Sequence, residues 1–390
     1  MASPLAELAI SDALYHGRAL LKFMSPNDVG TTGSHQAGFY LPKGAWEMYT
    51  PHAPLDGRND KHAVTIHWEG TRETKSVVTW YGTGTRSEYR LTRFGRNFMF
   101  KDDYFVGSLL VLVPVDISNF RAHVLDIDED ILEAQVALGV EIVSGWGIYD
   151  RTQPAIEEQD ECLRHRLHEF MAGIDDFPSG DEFSEETRMA LIDCVPGFIN
   201  LSADEKIIKG RDTEYELFKL VEQSICGPIV ERGFRSIDEF VSVANSITNR
   251  RRSRAGRSFE NHIRFTLRDA EIPFEHQPDV DGRPDFIIPS AAPYNDYDYP
   301  VDRLFVIGAK TTSRERWRQL LDEGRRVRSK YFMTLQPNMS NRQFDAIVDA
   351  DVRLVVPESL HTGYPIGAIR SNELLSVHRF IDMVRESLAW

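Results

Sequence analysis

Cysteine is scarce in this chain. Three residues in 390, Cys162, Cys194 and Cys226, lie far apart, and none belongs to a Cys-x-x-Cys pattern. That excludes a zinc ribbon and a disulfide-stapled secreted scaffold, and predicts three free thiols in a reducing cytoplasm. The equal interval from Cys162 to Cys194 to Cys226 carries no repeat in the flanking residues. Long apolar runs are missing too. No stretch approaches the roughly 20 residues a membrane helix needs. The start, Met-Ala-Ser-Pro-Leu-Ala-Glu, lacks the basic segment of a secretory signal, so none is expected. Positive charge is in short supply: 45 Lys and Arg stand against 60 Asp and Glu, a net of −15. Lysine is absent altogether from 126–186, where 18 acids face 3 arginines, and the rest balances at 42 acids and 42 bases. The acidity therefore belongs to one central segment. Nucleic-acid binding depends on local basic patches and is not excluded. Arg250, Arg251, Arg252, Arg254 and Arg257 make one such patch. The length predicts two or three domains, each with its own core.

Periodicity predicts a helix over 6–25 with Ile10, Leu14 and Leu21 on its apolar side. A Gly-, Ser- and Thr-rich loop follows and leads into a short strand. Further strands are predicted at 63–68, 76–82, 88–94 and 108–115, a spacing suited to a barrel or sandwich. Arg86, Arg90, Arg93 and Arg96, with Glu88, Tyr89 and Phe94, suit contacts to phosphates and base edges, or else a solvated strand face. Residues 150–186 carry acids, glycine and proline, and predict a linker with a short helix near 160–171. It would act as a decoy for basic clefts or as a plain spacer. Residues 187–247 predict three helical pieces, the clearest at 213–226 and 236–246. A separate helix is predicted at 257–270, with Phe259, Ile263 and Leu267 inward and Glu260 near its start. Strands at 331–335 and 352–356 and a closing helix at 371–388 make this half α/β.

The chemistry concentrates in 283–323. Arg-Pro-Asp-Phe-Ile-Ile-Pro ends in one short apolar run, and Arg-Leu-Phe-Val-Ile-Gly-Ala-Lys is a second. If the runs pair as strands, Asp285 and Lys310 meet at the same end of a sheet. Ser313 suits a helix N-cap, with Trp317, Leu320 and Leu321 on the apolar face and Glu323 on that helix. Two carboxylates and a lysine suit metal-assisted phosphodiester hydrolysis. Mg2+ is held by one or two carboxylates with water and phosphate, and the lysine orients or deprotonates the water. An ordinary Asp–Lys–Glu salt-bridge cluster fits the same spacing. Arg314, Glu315 and Arg316 suit a reader of adjacent G·C pairs, because arginine donates to guanine O6 and N7 and glutamate accepts from cytosine N4. An exposed charged first turn is the alternative.

Several strings are specific. Pro284-Asp285, Lys310 and Glu323 resemble the nuclease motif of restriction endonucleases in which the second carboxylate follows the lysine. Ala-Lys-Thr-Thr-Ser-Arg-Glu-Arg-Trp-Arg-Gln from Ala309, Asn-Arg-Arg-Arg-Ser-Arg-Ala-Gly-Arg-Ser-Phe-Glu-Asn-His at 249–262 and Arg-Leu-Val-Val-Pro-Glu-Ser-Leu-His at 353–361 resemble the EcoRII-type enzymes. So do Asn-Asp-Val-Gly-Thr-Thr-Gly-Ser-His-Gln-Ala-Gly-Phe-Tyr-Leu-Pro from Asn27 and Arg-Leu-Thr-Arg-Phe-Gly-Arg from Arg90. The likeness spans nearly the whole chain. It implies a multidomain type IIE restriction endonuclease of a bacterial or archaeal cytoplasm. Residues 1–149 would be an all-β B3-like pseudobarrel with a flanking helix that binds an effector copy of the site. His35, Tyr40, Arg86, Glu88 and Arg90 match residues placed on that DNA. Tyr89 stands where a basic residue is expected and Gly84 where another would be, so effector binding would be weaker or altered. Residues 150–186 would link it to a catalytic α/β domain of the PD-(D/E)XK-like restriction-endonuclease fold at 187–390.

The same resemblance implies Mg2+ at Asp285 and Glu323, with Asp285, Lys310, Glu323 and Glu260 catalytic. For Glu260, a helix-terminal glutamate serving only the dipole is an equal alternative. Arg314, Glu315 and Arg316 would read a CC/GG core around a flipped central base, a CC(N or W)GG-like site. Implied partners are double-stranded DNA in two or more copies of the site and a second subunit in a homodimer, with no membrane. Implied regulation is autoinhibition relieved by effector DNA. A non-cutting DNA-binding regulator and a repair or nicking nuclease are the competing functions.

Overall fold

The computed structural model describes residues 2–31, 38–55, 57–69, 72–84, 86–142, 145–152, 161–174, 176–365, 367 and 373–388. The chain divides into two compact units: Met1–Gln153 with Gln336–Asp345 and Thr362–Pro365, and Pro154–Leu335 with Ala346–His361 and Ile366–Trp390.

In the first unit, helix α1 (Pro4–His16) is opened by Ser3, whose hydroxyl accepts from the Ala6 amide, with Pro4 at the first helical position. It stops at Gly17, whose φ of 81° suits glycine's tolerance of the left-handed region. The helix predicted over 6–25 is thus two elements. Residues 18–23 are strand β1 (Arg18–Phe23), buried at every position but the first, with Leu20 opposite Leu112 on one side and Ile148 on the other. A run buried on both faces gives no alternation, and it reads as helix when joined to α1. Ala6, Ala9 and Ala13 face the core, whereas Leu14 is 40% exposed.

The unit continues through α2 (Pro26–Val29), β2 (Phe39–Leu41), β3 (Asp60–Trp68), β4 (Glu73–Tyr81), β5 (Glu88–Thr92), β6 (Leu109–Pro114), β7 (Asn119–Leu125), α3 (Asp128–Leu138) and β8 (Trp146–Asp150). The strands form one eight-stranded sheet in the order β2-β5-β4-β3-β7-β6-β1-β8. Pairings are antiparallel except β3 with β7. One core holds Phe39, Trp68, Trp80, Tyr89, Phe94 and Phe98, where burial contributes roughly 1.5–3 kcal/mol for a side chain of phenylalanine size. Another packs Ala6, Ala9 and Ala13 with Leu21, Val111 and Ile131.

The second unit opens with four helices: α4 (Glu161–Ala172), α5 (Gly180–Cys194), α6 (Ala203–Arg232) and α7 (Ile237–Asp269). Two of them begin inside the segment expected as a linker. Leu163, Leu167 and Phe183 pack with Leu217, Phe218 and Val221 of α6 into one core. Ser179 and Glu182 cap α5 reciprocally. The antiparallel packing of α4 on α5 brings Cys162 and Cys194 together in a disulfide, Cα atoms 5.5 Å apart. The expectation of three free thiols is corrected to one, Cys226. The separate helices predicted at 236–246 and 257–270 are one, because Gly256 is tolerated inside α7.

Charge is buried where α5, α6 and α7 meet. The Glu214 carboxylate accepts from Ser184 Oγ at 2.7 Å and lies 3.0 Å from His262 Nε2. Arg211 donates to the Ala255 carbonyl, and the Arg254 guanidinium lies over the rings of Tyr215 and Phe218. Gly210 makes the approach possible, since a Cβ there would sit 2.6 Å from the His262 ring. The expected basic patch is therefore split. Arg254 is buried, Arg251 pairs with Glu222 and Arg250 lies over Phe177, leaving Arg252 and Arg257 exposed.

The sheet of this unit runs β14-β13-β12-β11-β10-β9, built from β9 (Glu275–His276), β10 (Phe286–Ile288), β11 (Phe305–Lys310), β12 (Lys330–Thr334), β13 (Val352–Val355) and β14 (Leu374–Leu375). Helix α8 (Ala291–Asn295) lies between β10 and β11, α9 (Asn341–Val348) between β12 and β13, and α10 (Val377–Leu388) closes the chain. Strands β11 to β14 are parallel, and β9, β10 and β11 antiparallel. The near-continuous apolar runs at 304–309 and 331–335 suit strands covered on both faces.

Candidate active site

Strands β10 and β11 pair with Phe286 opposite Ile307, which brings Asp285 beside the last residues of β11. The Ala309 amide donates to Asp285 Oδ2 at 2.7 Å. Lys310 Nζ donates to Oδ1 at 3.0 Å and Oδ2 at 2.8 Å. Both side chains remain partly accessible, Lys310 at 29% and Asp285 at 15%. The expected meeting of carboxylate and ammonium at one sheet end is what the register produces.

Glu323 joins them by a different route from the one expected. Residues 316–322 form a 3-10 turn, and Glu323 follows it in extended conformation at φ −96°, ψ 142°. Ser313 is buried and caps no helix. Trp317 and Leu320 point inward as expected, but Leu321 is 39% exposed, because the tighter turn changes the facing. Burial pushes the Glu323 carboxyl up to about 7, the Asp285 charge adds to this, and Lys310 and Lys330 oppose it. Burial lowers the Lys330 ammonium, while Glu323, Asp281 and Asp322 pull it back up.

Glu260 lies deep within α7, not near a helix start, so the dipole alternative falls away. His276 Nε2 is 2.8 Å from its Oε2, and Gln277 Nε2 donates to the same oxygen at 3.3 Å. The Gln277 amide donates to the Asp285 carbonyl at 2.9 Å, which ties Glu260 to the strand pair. His276 and Gln277 escaped the sequence reading. Their signal was weak: a polar pair ending Phe-Glu-His-Gln-Pro, a few residues before Asp285.

Arg314, Glu315 and Arg316 follow β11 after buried Thr312 and Ser313. They occupy a bend and the first position of the 3-10 turn, with Glu315 exposed and the arginines half-buried. In the first unit His35 lies outside the described residues. Tyr40 is 37% exposed and opposite Arg90 in the β2–β5 register. Arg90 is buried and held by Glu88 at 3.0 and 3.3 Å. Arg86 is exposed, near the Tyr81 ring. Tyr89 is buried between Tyr49 and Trp80.

The described residues contain no group of three or more His, Cys, Asp or Glu able to hold a metal. Asp285 and Glu323 are two carboxylates within electrostatic reach of each other, and one or two carboxylates suit a hard divalent cation. No helix among the described residues is long and apolar enough to cross a membrane.

Two family profiles cover most of the chain: the N-terminal part of restriction endonuclease EcoRII matches residues 15–153, and the EcoRII C-terminal part matches 218–381. The type II restriction enzyme EcoRII of Escherichia coli is 31% identical over 385 residues, 93% of this chain and 92% of that protein. The chain belongs to the EcoRII family of type II restriction enzymes. It is a site-specific deoxyribonuclease, and DNA is its substrate. Type II restriction enzyme SsoII of Shigella sonnei is 30% identical over 125 residues, 29% of this chain and 40% of that protein. Among solved structures, a PspGI–substrate DNA complex matches with a TM-score of 0.46 and 18% identity over 55% of this chain and 94% of that one. Metal-depleted Ecl18kI with uncleaved DNA matches at 0.45 and 22% over 59% and 85%.

The raised Glu323 carboxyl has a consequence for stability. Its protonated form is favoured in the fold, so ionising it costs stability as pH rises from the ordinary carboxyl range through about 7. Glu323→Gln should therefore raise the melting temperature in metal-free buffer at about pH 9 and change it little at about pH 5. Equal shifts at both would show that ionisation is not the cause.

Proposed function

We propose that this family member hydrolyses both strands of DNA at a CC(N or W)GG-like site, with Mg2+ as cofactor, as a homodimer activated by a second copy of the site. The observation that carries the reading is the Asp285–Lys310 contact at the shared end of β10 and β11, with Glu323 near enough to respond to the charge of Asp285. Asp285 and Glu323 would hold Mg2+. When bound, the ion supplies charge stabilisation at the scissile phosphate and a more acidic water. Lys310, whose ammonium is paired with Asp285, would orient that water. Glu260, steadied by His276 and Gln277, is the further acid of the site. Each chain supplies one such set, and cutting two strands calls for two sets, which supports a homodimer.

Arg314, Glu315 and Arg316 are the base readers in this proposal, supported by their position directly after the strand of Lys310. The first unit is a B3-like pseudobarrel that binds effector DNA and restrains the nuclease until it does. Tyr40 and Arg86 are exposed enough to touch DNA, whereas Arg90, fixed by Glu88, shapes the surface from beneath. In the cell the enzyme works where DNA is, in the cytoplasm of a bacterium or archaeon.

Plasmid bearing the site, incubated with Mg2+ and analysed for end positions, tests the reading. Double-strand ends at one sequence are expected; nicks or no cuts would favour a repair nuclease or a regulator. Lys310→Ala should lose at least roughly 100-fold in cleavage rate while keeping specific binding, since the lysine acts on water and transition state. Cleavage within tenfold of wild type would remove it from the mechanism. Arg316→Ala should lose about 1–3 kcal/mol of discrimination at one G·C pair in competition binding. A uniform loss on all sequences would assign it to phosphate. Full-length enzyme should cut single-site DNA slowly and speed up when short duplexes with the site are added, because a ligand favouring the active state shifts the population. No acceleration would remove the effector role.

A further inference from the structure

Glu323 has no α-helix to fix it. It follows a 3-10 turn, and its position depends on neighbours outside that turn. Residues 281–282, just before Asp285, supply them. The Asp281 carbonyl accepts from the Gly324 amide at 2.9 Å, and Asp281 Oδ2 accepts from the Arg325 amide at 2.7 Å. Tyr294 donates its hydroxyl to Asp281 Oδ1. The two residues after Glu323 are thus bound to one aspartate, which is itself held from behind.

The adjoining glycines bring the backbones into contact. Gly282 has φ 74°, and a Cβ there would lie 2.5 Å from Glu323 Cα and 2.7 Å from the Asp322 carbonyl. Gly324 has φ 55°, and a Cβ there would meet Val306 of β11 at 2.6 Å. Only glycine takes both the backbone angle and the approach at these positions. On the other side, Lys330 Nζ donates to the Leu320 and Leu321 carbonyls at 2.9 and 2.8 Å, closing the turn that precedes Glu323.

We infer that Asp281 is a positioning residue: it fixes the chain at Glu323, so that this carboxylate and Asp285 can serve one divalent cation. The inference rests on the reading of Glu323 as a metal-holding carboxylate. Its physical basis is general: partners behind a metal ligand restrict its orientation, and removing one typically weakens metal binding by roughly 10- to 100-fold.

Calorimetric titration with Mg2+ alone, and single-turnover cleavage across Mg2+ concentrations, test this on the full-length protein. Asp281→Ala should raise the half-saturating Mg2+ by roughly 10- to 100-fold in both measurements. High Mg2+ should restore most of the rate, and DNA binding without metal should be unchanged. Asp281→Asn keeps an acceptor oxygen and should shift less; an equal shift would mean that charge alone matters and would overturn the clamp. Tyr294→Phe leaves Asp281 in place and loosens it, so it should shift Mg2+ dependence in the same direction even if Asp281→Ala folds poorly. In a Glu323→Gln background, Asp281→Ala should weaken Mg2+ binding no further. Wild-type Mg2+ dependence in Asp281→Ala and Tyr294→Phe, with Glu323→Gln inactive, overturns the clamp alone. Wild-type cleavage by Glu323→Gln overturns the metal role of Glu323 and the clamp with it.

Discussion

The contact between Lys310 and Asp285 is the constraint on which the nuclease unit depends. Two short antiparallel strands, β10 and β11, are held in a register that puts an ammonium against a carboxylate at their common end. The Ala309 amide bonds the same carboxylate, and the Gln277 amide bonds the carbonyl behind it. Removing one member of such a partly buried pair leaves a charge without its partner, and for fully buried pairs that costs about 3–5 kcal/mol. Here the pair also sets the electrostatics of its surroundings. Burial raises the Glu323 carboxyl most, Asp285 adds to the rise and Lys310 opposes it, so three groups share one local field.

The strand pair was legible because its signals were local. Apolar runs at 286–288 and 304–309 bounded by Asp285 and Lys310 read as buried strands, and the strands at 60–68, 73–81, 88–92 and 109–114 announced themselves by composition and spacing. The Arg-Glu-Arg triplet after Lys310 and the basic string before Glu260 were specific enough to indicate the family.

Features set by distant partners were not legible in the same way. Strand β1 reads as a continuation of α1 because its burial on both faces comes from β6 and β8, remote in sequence. The turn at 316–322 has helical spacing at Trp317 and Leu320, yet the carbonyls of Leu320 and Leu321 are drawn to Lys330, and the chain leaves extended at Glu323. Cys162 and Cys194 meet only through the antiparallel packing of α4 on α5. The arginine run at 250–257 looked like one patch, but helical period sends Arg250, Arg251 and Arg254 inward to Phe177, Glu222 and Tyr215.

The charged layer between α5, α6 and α7 limits how this unit can change over time. Glu214 serves Ser184 and His262 together, and His262 fits only because residue 210 has no side chain. Exchanging any one of these for an apolar residue strands a polar group in a buried site, whereas exchanging the set together need cost nothing. Variation here must therefore be concerted. Such positions should drift as a block: single steps pass through less stable intermediates, and related enzymes would carry either the whole polar set or an apolar replacement of it.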